Sequence, residues 1–144
     1  MMDAKERLEL LEKIFEDLGL KNLDLPVLVE GKRDKEALIE LGLSGEILII
    51  NTGHTLMEMC EDLGQRYTEV ILMLDWDRKG HQLTANIERN LILLGVKVDK
   101  SFMVRIFHLV SKETKEVEAL DRLMERFRIP SMKRPKRLEP WKKE

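Results

Sequence analysis

The stretch "VILMLDWDRKG", residues 70–80, drives an apolar run straight into Asp75 and Asp77, two carboxylates one residue apart. Like charges so close repel each other and are costly to desolvate together. A second apolar run, "LPVLVEG" at residues 25–31, ends in Glu30. In extended backbone Asp75 and Asp77 point the same way and Trp76 the opposite way. If the two runs are neighbouring strands, three carboxylates gather at one sheet edge and require either protonation or a cation. An all-oxygen donor set of that charge suits a hard divalent ion, Mg²⁺ first and Mn²⁺ as its substitute. Gly31 and Gly80 predict sharp turns into helices, whose first N–H groups would face the same edge and favour an anion such as phosphate. Lys32, Arg33, Arg78 and Lys79 flank the acids. A divalent cation and cationic side chains beside a phosphate are suited to phosphoryl transfer, where the work is positioning and charge neutralisation. Asp34 suits either that site or the first turn of its helix, where the dipole favours an acid.

These residues need elements to hold them. The spacing of Leu8, Leu11, Ile14, Phe15 and Leu18 predicts a helix over residues 3–19, with Gly19 as its stop. Strands are expected at 27–30, 46–52 and 69–75, and a fourth near 103–110 within "VKVDKSFMVRIFHLV". Between them, "KRDKEALIELGL" predicts a helix ending near Gly42, "HTLMEMCEDLGQRY" another, and "HQLTANIERNLILLG" a third closing at Gly95. "KETKEVEALDRLMERF" predicts a long amphipathic helix. Strands alternating with helices, and reading as continuous apolar runs, indicate a parallel sheet covered on both faces. All carboxyl strand ends then lie along one edge, where ligands bind in such folds.

The bulk numbers bound the reading. At 144 residues the chain is expected to form one domain with a real core. No apolar run approaches a membrane span, and the acidic amphipathic start "MMDAKERLELLEK" is unlike a signal peptide; a cytoplasmic protein is expected. The lone cysteine, Cys60, permits neither an internal disulfide nor a cysteine-based metal cluster and is read as a core residue. His54 and His81, near the acidic edge, are read as loop and helix-start residues, and His108 as structural. Trp76 is read as core packing, with base stacking as the alternative. The net charge of −2 hides an asymmetry: from Arg128 onward the chain carries +5 and the rest −7. A basic tail on an acidic body suits either a phosphate-rich partner or a solvated terminus.

"VEGKRDKEAL", followed about forty residues later by "LDWDRKG", resembles the Toprim domain of topoisomerases, bacterial-type primases, ribosomal-RNA-maturing ribonucleases and recombination-repair proteins. "NTGHTL" supplies the glycine-bearing second strand end of that family's pattern. The chain is also similar to small stand-alone Toprim proteins of archaea. The resemblance implies a compact, Rossmann-like α/β domain with a parallel sheet of about four strands flanked by helices. The resemblance covers 24–110, and the expected division of the chain is an N-terminal amphipathic helix over 1–23, the Toprim domain over 24–110, a C-terminal helix over 111–127 and a basic tail over 128–144. Residue by residue, Glu30 matches the family glutamate that acts as general acid/base or metal ligand. Asp75 and Asp77 match the aspartates that hold Mg²⁺, Asp34 an often acidic position, and Gly80 the turn glycine. The tyrosine-bearing further domain of a topoisomerase and the zinc module of a primase have no counterpart in these residues.

The leading expectation is therefore a Mg²⁺-dependent enzyme of nucleic-acid phosphodiesters, a nuclease of RNA or DNA processing or repair. Asp75 and Asp77 would hold the metal, one ion or two, with Glu30 either sharing it or otherwise moving the proton as general base or acid, and Lys32, Arg33, Arg78 and Lys79 would contact phosphates. The alternative is a non-catalytic Mg²⁺-dependent module that binds nucleic acid or a nucleotide as an adaptor. A phosphatase with Asp75 as nucleophile is a third reading, poorly matched by "DWDRKG". A protein partner or pairing between copies through the terminal amphipathic helices is left open, and no membrane partner is expected.

Overall fold

The computed structural model describes residues 2–50 and 53–132, the last four of them by backbone alone. The elements run α1 (Ala4–Asn22), β1 (Val27–Val29), α2 (Lys32–Glu40), β2 (Ile47–Ile49), α3 (Leu56–Arg66), β3 (Glu69–Leu72), α4 (Arg78–Leu93), β4 (Lys97–Asp99), α5 (Ser101–Val110), a 3-10 turn (Val117–Ala119) and α6 (Leu120–Met132). The four strands form one sheet in the order β2-β1-β3-β4, and every pairing is parallel.

The two central strands are the most deeply buried. Val27, Leu28, Val29, Val70, Ile71 and Leu72 are all fully buried, as expected of strands covered on both faces. The edge strand β4 instead carries Lys97 and Asp99. Asp99 is held by Lys21 of α1 at 2.5 Å, and the same ammonium lies 3.0 Å from Glu69. α3 packs on α4, whereas α1 packs on α5 and α6, and α2 on α6 and the 3-10 turn. The connection leaving β1 reaches β2 on one side, while β3 lies on the other. Such a reversal opens a crevice at the carboxyl ends of β1 and β3. Those ends lead into Glu30 and Asp75.

Three expectations are corrected. The residues expected as a fourth strand, 103–110, belong to helix α5; the strand is Lys97–Asp99. Phe102, Met103, Ile106 and Val110 are buried while Ser101, Val104, Arg105 and His108 are exposed, a 3.6-residue period that outweighs the β-favouring composition. His108 is thus an exposed helix residue rather than a strand residue. Gly19 does not stop α1, which continues to Asn22. The long helix expected from Lys112 begins only at Leu120, after a turn and the 3-10 segment.

Asn22 shows why α1 ends where it does. It is 1 % exposed, its amide donates to the carbonyls of Leu25 and Glu46, and its Oδ1 accepts from Gly45 N–H at 2.8 Å. Gly45 is required for this approach, since a Cβ there would lie 2.0 Å from the Asn22 carbonyl oxygen. Asn22→Ala removes three hydrogen bonds, leaving Glu46 O only its bond from Val27 N–H, and is expected to lower unfolding free energy by about 2 kcal/mol, read as a lower urea midpoint at unchanged slope.

Candidate metal and phosphate site

β3 ends at Leu72, and the chain stays buried through Met73, Leu74 and Trp76 before α4 opens. Asp77 is the N-cap of α4, its Oδ1 accepting from Gly80 N–H at 2.7 Å. Gly80 does not serve a turn; it lies inside α4. Its reason is contact: a Cβ at Gly80 would lie 1.9 Å from the Asp75 carbonyl oxygen. The first turn of α4 therefore rests directly on the Asp75 peptide. Gly31 is likewise no left-handed turn residue. Its φ is −147°, and it caps α2 while its N–H donates to Asp34 Oδ2 at 3.0 Å.

Asp75 Oδ1 accepts from the N–H of Val117, at 2.8 Å and 42 residues further on. The segment bearing Val117 is fastened at several points. Trp76 N–H donates to Lys115 O at 3.0 Å, and its indole Nε1 donates to Thr114 O at 2.8 Å. Trp76 is 4 % exposed; it packs in the core, and base stacking is not its role. At the start of the segment, Arg7 of α1 reaches Leu109 O and Glu113 Oε2 with its guanidinium 4.5 Å from the Phe127 ring centre.

Four of the expected residues interact electrostatically at this edge. Burial pushes the Asp75 carboxyl up to about 6, against the pull of the Val117 amide and with the charges of Asp34, Glu30 and Asp77 adding to it. Asp34 is buried and raised in the same direction, first by burial and then by Glu118 and Glu30, although the Gly31 and Glu118 amides oppose this. Glu118 and the Val117 amide are the functional-edge groups that sequence reasoning missed.

The cations are arranged less uniformly. Lys79 lies 3.6 Å from Glu30, and Arg33 4.0 Å from Glu118. Lys32 and Arg78 are exposed in the first turns of α2 and α4. His81 is exposed in α4, and His54 faces Glu58 at 3.9 Å. Asn51 and Thr52 of "NTGHTL", and the tail from Lys133 on, lie outside the described residues.

Among the described residues, no three His, Cys, Asp or Glu side chains are disposed to hold a metal ion as they stand. The donor chemistry nonetheless fits one. The amide bonds to Asp75 and Asp77 each occupy one oxygen and leave the second. Asp75 carries a burial and repulsion penalty that only a proton or a cation relieves. The ligands available are oxygens, as a hard divalent cation prefers.

The Toprim domain family model matches residues 26–109. The chain belongs to the Toprim family. Its curated relatives include UPF0292 proteins of Methanocaldococcus jannaschii, 33% identical across 83% of this chain and 93% of the relative, and of Pyrococcus furiosus, 32% identical across 86% and 91%. A solved structure of an Aquifex aeolicus protein superposes with a TM-score of 0.63 at 24% identity, covering 74% of this chain and 94% of that one; it shares the fold. Toprim membership associates this chain with metal-dependent functions involving nucleic acids. Among the described residues, no helix is long and apolar enough to cross a membrane.

Proposed function

We propose that this Toprim protein is a Mg²⁺-dependent phosphodiester hydrolase acting on nucleic acid. One observation carries the reading: Glu30, Asp34, Asp75 and Asp77 act on one another at the crevice between β1 and β3, and burial raises Asp75 to about 6. Carboxylates whose protonation is shifted by burial and by one another concentrate in clefts that bind a ligand or do chemistry. Asp75, Asp77 and Glu30 would hold Mg²⁺, with Mn²⁺ as its substitute, and a bound ion supplies Lewis-acid polarisation of the phosphate. Glu30 would take the proton of the attacking water or return one to the leaving oxygen. Its ion pair with Lys79 would be exchanged for contacts with the substrate. Lys32, Arg33, Arg78 and Lys79, together with the opening turns of α2 and α4, would position phosphates.

A second reading has an observation of its own. Lys32 and Arg78 stand exposed in the first turns of α2 and α4, where they suit phosphate contacts whether or not turnover follows, as in a Mg²⁺-dependent module that binds nucleic acid without cleaving it. Labelled RNA and DNA incubated with and without Mg²⁺ separate the two. Cleavage that needs the metal and falls about a hundredfold or more in Glu30→Gln supports the hydrolase. Metal-dependent binding without products supports the adaptor, and neither binding nor cleavage overturns both.

A further inference from the structure

A groove of about 680 Å³ runs between α1, the end of α2 and α6, away from the acidic crevice. Its rim carries Glu12, Glu16, Glu40, Asp121 and Glu125 against Arg122 and Arg128. Its floor includes Phe15 and Met124, and two leucines, Leu20 and Leu23, stand 62% and 61% exposed along it. An acidic rim repels nucleic acid, so the groove suits a basic polypeptide with apolar side chains.

Such a sequence lies in the same chain. Residues 136–144, "KRLEPWKKE", combine Lys136, Arg137, Lys142 and Lys143 with Leu138 and Trp141. Arg128 lies 3.5 Å from Glu12, so α6 leaves the groove at its Glu12 end. Three residues, Lys133 to Pro135, separate this segment from the last described residue, Met132. From Glu12 to Leu23 the groove follows about 16 Å of α1 at the helical rise. Nine extended residues reach about 30 Å, enough to run its length.

We propose that residues 136–144 dock in cis along this groove, Leu138 and Trp141 covering Leu20 and Leu23 while the basic side chains meet the acidic rim. The proposal is independent of the hydrolase reading. Trp141 reports on it directly. Its emission is the difference between the full chain and Trp141→Phe, because the buried Trp76 is common to both. The expected result is a blue-shifted Trp141 shielded from acrylamide, with both properties lost in Glu16→Lys combined with Glu40→Lys, and separately in Leu23→Asp, while far-ultraviolet circular dichroism is unchanged. Trp141 emitting as a solvated indole in the unaltered chain would overturn the proposal. So would shielding that survives both variants, or shielding that fades on dilution, which would seat the segment on a second copy.

Discussion

Asp75→Asn is expected to remove metal-dependent cleavage and, in the same molecule, to make the metal-free protein more stable at neutral pH. The two effects share one cause. Asp75 is raised to about 6 by burial and by Asp34, Glu30 and Asp77, against an ordinary value of about 3.9 in an unfolded chain. The folded state therefore holds this proton more tightly than the unfolded one. The contribution favours folding fully below about pH 4, is lost as pH rises to about 6, and stays lost above that. At neutral pH the charged, metal-free form carries a cost on the order of 2–3 kcal/mol. Asparagine removes the charge, keeps an oxygen to accept from the Val117 N–H, and turns an amide toward the neighbouring acids. The melting-temperature difference between variant and parent, measured without divalent cations, should open between about pH 4 and pH 6 and then plateau. Mg²⁺ should raise the melting temperature of the parent and leave the variant unmoved. Cleavage should fall by about a hundredfold or more. A variant less stable than the parent at pH 7 without metal would mean that Asp75 is compensated within the protein.

Gly80→Ala is expected to damage folding and function together. The added carbon would lie 1.9 Å from the Asp75 carbonyl oxygen and 2.6 Å from its carbon, both backbone atoms. No rotamer relieves such an overlap, so either α4 or the Asp75 peptide must move. A loss of about 3 kcal/mol is expected by denaturant titration. Because Asp77 caps the same turn, metal affinity should fall even at temperatures where the variant remains folded. An alanine variant with the parent's stability would show that the contact between helix and peptide yields readily.

The acidic crevice was legible because each of its strands is a short apolar run followed at once by a carboxylate, and because alternation with helices puts those ends on one edge. Glu30 and Asp75 needed no long-range information. Gly80 was noticed for the wrong reason: a glycine after an acid suggests a turn, whereas here it permits a helix to touch a peptide five residues earlier, which only packing reveals. β4 was misplaced because its three residues, Lys97–Asp99, are too few and too polar to stand out. The helix after it is made of Phe, Met, Val and Ile, whose burial period was hidden by their β propensity. Val117 and Glu118 were absorbed into a predicted amphipathic helix. Their role depends on contacts across some forty and eighty residues, to Asp75 and Asp34, and no local pattern encodes those.

The strap from Glu113 to Ala119 lies beyond the span 26–109 that the family model matches, yet it supplies the amide on Asp75 and the two carbonyls that Trp76 reaches. A fragment trimmed to the matched boundaries would thus expose an indole and strand its N–H, and would leave Asp75 without its only neutral donor among the described residues. The smallest autonomous unit of this protein is therefore wider than its Toprim match, and grafting or dissecting it has to respect the wider border.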